Sequence, residues 1–195
     1  AADPARGGYW RGLGRPALSR GYGLRAMVPD HPAYFAAYEA DSAAAYESVE
    51  VVRDLVYGDH PRQRADVFQA TGGDRPCLVF LHGGFWQAFS KDAFAFIAPA
   101  YVRAGISVVT FSYALCPEVP LGTIVTQIRE GLIWLAHRGR DYGIDTGRIH
   151  VSGHSAGAHL AAMAALTDWS RHDLPAGLVR SVVALSGIFD LRPLV

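Results

Sequence analysis

Asparagine is absent from this 195-residue chain, lysine occurs once, at Lys91, among 18 basic residues, and cysteine occurs twice. The arginine bias and the missing asparagine point to a GC-rich genome and carry no chemical message. Two cysteines exclude a disulfide scaffold. Their positions also disfavour a single bond. Cys77 enters an apolar strand, whereas Cys116 lies past the exit of the next parallel one, and opposite ends of such a strand stand ~20 Å apart against the roughly 7 Å that a bridge allows. Both are expected to be free thiols, as in a reducing cytoplasm. Cys116 as a nucleophile is the sharper reading, but no base is placed beside it. Charge of one sign is lacking as well. With 18 acidic and 18 basic residues, nothing draws the chain to nucleic acid or to a membrane surface. No apolar run approaches the ~20 residues of a membrane span. Residues 1–26 are rich in Gly and Arg, lack the apolar core of a signal peptide, and read as a flexible arm.

What is present suits one folded domain. Half the residues are hydrophobic, enough for a substantial core. Strands are expected at Val49–Tyr57, Ala65–Gln69, Cys77–Leu81, Ser107–Ser112, Arg148–Ser152 and Ser181–Leu185. Helical patterns occupy Lys91–Arg103, Ile124–Arg138 and Ala156–Leu166, and Ile124, Ile128, Leu132 and Leu135 form one apolar face. From residue 77 strands alternate with helices, which predicts an α/β fold with a mostly parallel central sheet. Arg62-Gln63-Arg64 marks the turn of an antiparallel hairpin that opens the domain. Residues 27–47, with Tyr34, Phe35, Tyr38 and Tyr46, read as a helical cap over the site, and 48–195 as the N-terminal part of an α/β domain truncated after its sixth strand, with the C-terminal strands absent.

Gly153-His154-Ser155-Ala156-Gly157 follows an apolar strand and precedes a small-residue helix, the setting of a G-x-S-x-G nucleophile elbow. Side chains at Gly153 or Gly157 are expected to collide with the neighbouring helix or strand. A second element, His82-Gly83-Gly84-Phe85-Trp86, follows the run Cys77–Leu81. Acyl transfer needs backbone N–H groups aimed at the oxyanion of a tetrahedral intermediate, and paired glycines let main chain come close enough. The oxyanion hole is assigned to the N–H groups of Gly84, Phe85 and Ala156, and the nucleophile to Ser155. His82, Gly83, Trp86, Tyr113 and His154 are the candidate substrate contacts. The His82 ring is expected to brace its loop, and the His154 side chain to point away from that of Ser155.

With Tyr113-Ala114-Leu115-Cys116-Pro117-Glu118, Ala158-His159 and Ser186-Gly187-Ile188-Phe189-Asp190-Leu191, these stretches resemble the α/β-hydrolase superfamily. Within it the chain is most similar to the hormone-sensitive-lipase-like serine hydrolases, in particular the kynurenine formamidase (arylformamidase)-like branch. The likeness spans roughly residues 27–195. It implies cleavage of a small-molecule carboxylic ester or aryl formamide through an acyl-enzyme on Ser155, with no cofactor and no metal. The aromatic loop and cap suit an aryl substrate with a small acyl group.

A serine nucleophile needs a His base and an orienting carboxylate, which in this fold follow it in the order Asp or Glu, then His. Asp168 and His172 have the order, but a helix of eleven residues carries them ~17 Å from the elbow, and Asp173 fails for the same reason. His159 lines the pocket or packs beneath it. Asp190 follows the sixth strand, and Leu191-Arg192-Pro193 around it favours a structural turn. The acid and base are therefore expected beyond residue 195, from a C-terminal remainder or a second chain, with the last strand left as an apolar edge that invites a homodimer. Two other classes stay open: a non-catalytic hydrolase-like binding module, and a thioesterase or acyltransferase.

Overall fold

The computed structural model describes residues 12–194. They fall into two compact units, one of Tyr38–Ile188 and one of the chain up to Ala37 together with Phe189 onward. In the smaller unit, part of the stretch read as a flexible arm is helical: α1 spans Arg15–Tyr22 and α2 Leu24–Met27. Pro16, in the first turn of α1, occupies a position where no intrahelical donor is needed. Residues 1–11 lie outside the described residues. Helix α3, His31–Ser48, runs through the segment expected to be helical.

The larger unit is built on six strands: β1 Val51–Val56, β2 Arg64–Phe68, β3 Arg75–Leu81, β4 Ser107–Ser112, β5 Ile144–His154 and β6 Val179–Leu185. Their order across the sheet is β1-β2-β4-β3-β5-β6. Strand β2 is antiparallel to both neighbours, and β4, β3, β5 and β6 are parallel. All six residues of β4 are buried, as expected for a central strand covered on both faces. Helix α4 spans Ala98–Arg103, α5 Leu121–Arg138 and α6 Ala156–Ala165. The face of α5 read from its spacing is buried at Ile124, Ile128, Leu132 and Leu135. A Cβ at Gly131 would lie 3.1 Å from the ring of Phe111, so a bare backbone at this turn lets α5 settle onto β4.

Two elements depart from expectation. Lys91–Ile97 is a 3-10 helix, and α-helix begins only at Ala98. Pro99 has no N–H to return to the preceding turn, which stops an α-helix from running through it. Strand β5 begins four residues early, at Ile144, where Asp145 and Gly147 hide the strand pattern. Because four strands run parallel, the segments after β3, β4, β5 and β6 all leave the same edge, where sites of open α/β sheets assemble.

Candidate active site

Gly153, Ser155 and Gly157 sit where β5 turns into α6, and packing explains the glycines. A Cβ on Gly157 would stand 1.9 Å from the carbonyl oxygen of Leu81 in β3, and one on Gly153 would stand 2.2 Å from the carbonyl oxygen of Gly157. The helix thus enters flush against the sheet, as the sequence predicts. Between them Ser155 takes φ 56°, ψ −117°. A non-glycine residue in such a sparsely populated region carries ~1–3 kcal/mol of strain and persists only where surroundings fix it. Here the Ser155 N–H donates to Leu185 O of β6 at 2.8 Å, and Ser155 O accepts from Ala158 and His159 at 3.0 and 3.2 Å. Ser155 remains partly exposed.

The loop after β3 meets this turn. A Cβ on Gly83 would lie 3.0 Å from His154 O, 3.2 Å from His154 Nδ1 and 3.4 Å from Ser155 Cβ. A side chain there would crowd His154 and Ser155, so the two motifs are in contact. Gly84 adopts φ 110°, and Phe85 and Trp86 both adopt φ 56°. A Cβ on Gly84 would strike Ala88 O at 2.3 Å, while Gly84 O accepts from Gln87 and Ala88 at 2.9 and 3.0 Å. The N–H of Ala156, at the first position of α6, has no carbonyl behind it in the helix, and the helix dipole adds partial positive charge at that end. The arrangement brings Gly83 against His154 and Ser155, with Ala156 and Gly84 next along each segment, and Phe85 is exposed. His154 is exposed as well, with its ring over Gly83.

Three candidate substrate contacts are corrected. His82, Trp86 and Tyr113 keep only 1, 5 and 0 % of their surface accessible, too little to form a wall around a ligand. They support the loop from beneath. The His82 and Tyr113 rings stack at 4.1 Å with 4° between planes, and the Tyr113 hydroxyl donates to His82 O at 2.6 Å. The Trp86 ring meets His159 of α6 edge to face at 5.3 Å, and Trp86 O accepts from Cys116 N–H at 2.7 Å. His159 is buried and burial holds its pKa below the ordinary value, so it packs beneath the site. Both cysteines are free, and burial pushes both thiols up, which disfavours Cys116 as a nucleophile.

Residues set aside on distance take local roles. Asp168 caps the 3-10 turn Trp169–His172 through Ser170. The carboxylate of Asp190 accepts from the Arg192 guanidinium at 2.7 Å twice and from the Arg192 N–H at 3.2 Å, the structural turn expected. Among the described residues no His, Cys, Asp and Glu cluster could hold a metal ion, and no helix is long and apolar enough to cross a membrane. Arg62 and Gln127 were not legible from sequence. Arg62 donates to Tyr113 O and Phe89 O, and Gln127 Oε1 accepts from Ala114 N–H at 2.8 Å. A polar residue in a turn or on a helix gives no sign of which distant carbonyl or amide it reaches.

The model of the BD-FAE family matches residues 66–193, about two thirds of the chain. The chain belongs to the BD-FAE family. This BD-FAE chain is 32% identical over 164 residues to the kynurenine formamidase of Danio rerio, covering 83% of itself and 54% of that protein. It is 30% identical over 156 residues to the isoprenylcysteine alpha-carbonyl methylesterase ICME of Arabidopsis thaliana, covering 76% of itself and 36% of that protein. Among solved structures it is similar to a Silicibacter sp. tm1040 protein provisionally assigned as a thioesterase, with TM-score 0.79, 32% identity and coverage of 91% of this chain and 66% of that one. These likenesses place the BD-FAE chain among hormone-sensitive-lipase-like α/β-hydrolases, on the arylformamidase-like branch. It spans about half the length of the kynurenine formamidases it matches.

Proposed function

We propose that the protein is a serine hydrolase that cleaves a small carboxylic ester or aryl formamide through an acyl-enzyme on Ser155. The carrying observation is the contact of two strained segments: Ser155 at φ 56° against a Gly83-Gly84 loop whose next residues also have positive φ. In the proposed reaction Ser155 Oγ adds to the substrate carbonyl and gives its proton to a histidine base. The oxyanion that forms is held by the N–H groups of Ala156 and of Gly84 and Phe85, donors worth ~3–4 kcal/mol each in such sites. The histidine then returns the proton to the departing alcohol or amine, and water repeats the sequence to free the acid. The base and its carboxylate are proposed to come from beyond residue 195, in the order carboxylate then histidine.

The formamidase and methylesterase names among the relatives support amide or ester cleavage. The provisional thioesterase name of the structural relative favours a second reading, in which the leaving group is a thiolate at the same serine. The test is labelling of the full-length protein with a fluorophosphonate, followed by peptide mapping, beside turnover of matched aryl formamide, aryl ester and acyl thioester substrates. The label is expected on Ser155, with both labelling and turnover lost in Ser155→Ala. Absence of label at Ser155 in the wild type overturns the proposal, and a thioester preference of 100-fold or more, about 2.7 kcal/mol in the barrier, selects the second reading.

A further inference from the structure

The geometry points to Arg62 as a positioning residue for the oxyanion loop, an inference that rests on the serine-hydrolase reading above. Arg62 stands in the hairpin between β1 and β2, remote in sequence from both motifs. Its Nε donates to Tyr113 O at 2.8 Å and its Nη2 to Phe89 O at 2.5 Å. Phe89 ends the strained stretch, at φ 70°, and its ring lies against Gly84, where a Cβ would come within 2.8 Å of it. The place of Phe89 therefore sets the place of Gly84. At the other end of the loop, the Tyr113 hydroxyl donates to His82 O. One guanidinium thus holds the loop at Phe89 directly and at His82 through Tyr113.

The loop needs such a holder. Gly84, Phe85, Trp86 and Phe89 all have positive φ, a backbone that relaxes unless the surroundings fix it. Arginine suits the task because its planar, permanently charged fork reaches two carbonyls at once, whereas a lysine ammonium is a point donor on a flexible stem. The hairpin in turn holds Arg62. The Arg62 N–H donates to His60 Nδ1 at 3.1 Å, which places the His60 proton on Nε2, facing Glu118 Oε1 at 3.2 Å. Gln63 accepts from His60 N–H at 2.9 Å and donates to Glu130 of α5 at 2.6 Å. Gly58 leaves room for that Gln63 side chain, since a Cβ there would stand 2.1 Å from its Nε2.

Arg62→Met and Arg62→Lys in the full-length protein test this, with Arg180→Met, which removes an exposed bond to Gly147 O, as the control. Two quantities are read: backbone amide exchange across residues 82–90 relative to β4 and β5, and kcat and KM on an activated aryl ester. Arg62→Met is expected to speed exchange in the loop on the order of 10-fold while leaving the two strands unchanged. It is expected to lower kcat about 10- to 100-fold with KM within about 3-fold of wild type, since the hole acts on the transition state. Arg62→Lys falls between, and it carries the comparison where Arg62→Met does not fold. A residue that only solders the hairpin to the core would lower the melting temperature and leave loop exchange and kcat alone. Unchanged exchange across 82–90 overturns the inference whatever the turnover, and a loosened loop with intact kcat overturns the catalytic role. A wild type that neither labels nor turns over removes the hydrolase reading instead, and exchange alone then decides whether Arg62 holds the loop.

Discussion

The proton of His82 sits on Nδ1, because that nitrogen faces Gly83 O at 2.7 Å and a carbonyl can only accept. Its Nε2 is then a bare acceptor, buried without a partner between the rings of Tyr113 and Phe94. Burial outweighs the hydrogen bond to Gly83 O and lowers the pKa to about 4. An unfolded histidine takes its proton near pH 6.5, so from there down to about 4 the unfolded chain holds more protons. The stability this residue contributes is complete above about 6.5 and is lost as pH falls toward 4, a change of ~3 kcal/mol. Urea unfolding at pH 7, 5.5 and 4.5 is expected to show a shallower acid loss in His82→Phe than in wild type, and equal slopes would refute the assignment. At this scale the tight turn from β5 into α6 was legible because Gly153 and Gly157 are required by the collisions they avoid. The inward turn of His82, Trp86 and Tyr113 was not, because an aromatic residue on a loop reads the same whether its ring faces a ligand or the core.

Lys91, the lone lysine, sits in a cluster that joins five elements. Its ammonium, 2% exposed, lies 2.8 Å from Asp54 of β1, 2.9 Å from the fully buried Asp66 of β2 and 3.1 Å from Asp92 of its own 3-10 helix. Tyr46 of α3 donates to Asp66 at 2.6 Å, and the Lys91 N–H donates to Ser112 Oγ of β4 at 2.9 Å. Burial alone would push the Lys91 pKa down, but the hydrogen bond to Asp54 and the charge of Asp66 outweigh it and hold it above the ordinary value. Taking the cation from such a group leaves a buried carboxylate uncompensated, at ~3–5 kcal/mol. Lys91→Met is expected to lower the unfolding free energy measured by urea titration by that amount, with near-full recovery in Lys91→Met/Asp66→Leu. A single mutant within about 1 kcal/mol of wild type would show the cluster to be dispensable. Element positions were largely legible, since β3, β4 and the buried face of α5 are written in apolar runs and spacings. This cluster was not: nothing in the spacing of Asp54, Asp66, Lys91 and Asp92 shows which charges meet, and only the pairing of β1 and β2 beside Lys91 makes them one unit.

The two edges of the sheet are treated differently, and the contrast bears on the assembly of the whole molecule. Strand β1 is an edge with protection: its register shifts between Val52 and Leu55, and Arg53 and Asp54 are exposed on it, the bulge and charges that discourage strand addition. At the opposite edge β6 runs through Ser181, Val182, Val183, Ala184 and Leu185 after a single charge at Arg180, with Val183 and Leu185 left 53% and 49% exposed. No shift in register interrupts its pairing with β5 from His150 to His154. The same strand holds the elbow, through Leu185 O and the Ser155 N–H. Pairing along the outer side of β6 is therefore expected to stiffen the turn at Ser155 as well as cover apolar surface. The 195-residue polypeptide by itself is expected to self-associate through this edge at ~100 µM, and Val183→Lys to return it toward monomer in light scattering after gel filtration, because a lysine on an edge strand penalises a neighbouring copy. A wild-type polypeptide that is already monomeric there, or association that Val183→Lys leaves untouched, would place the sticky surface elsewhere than β6.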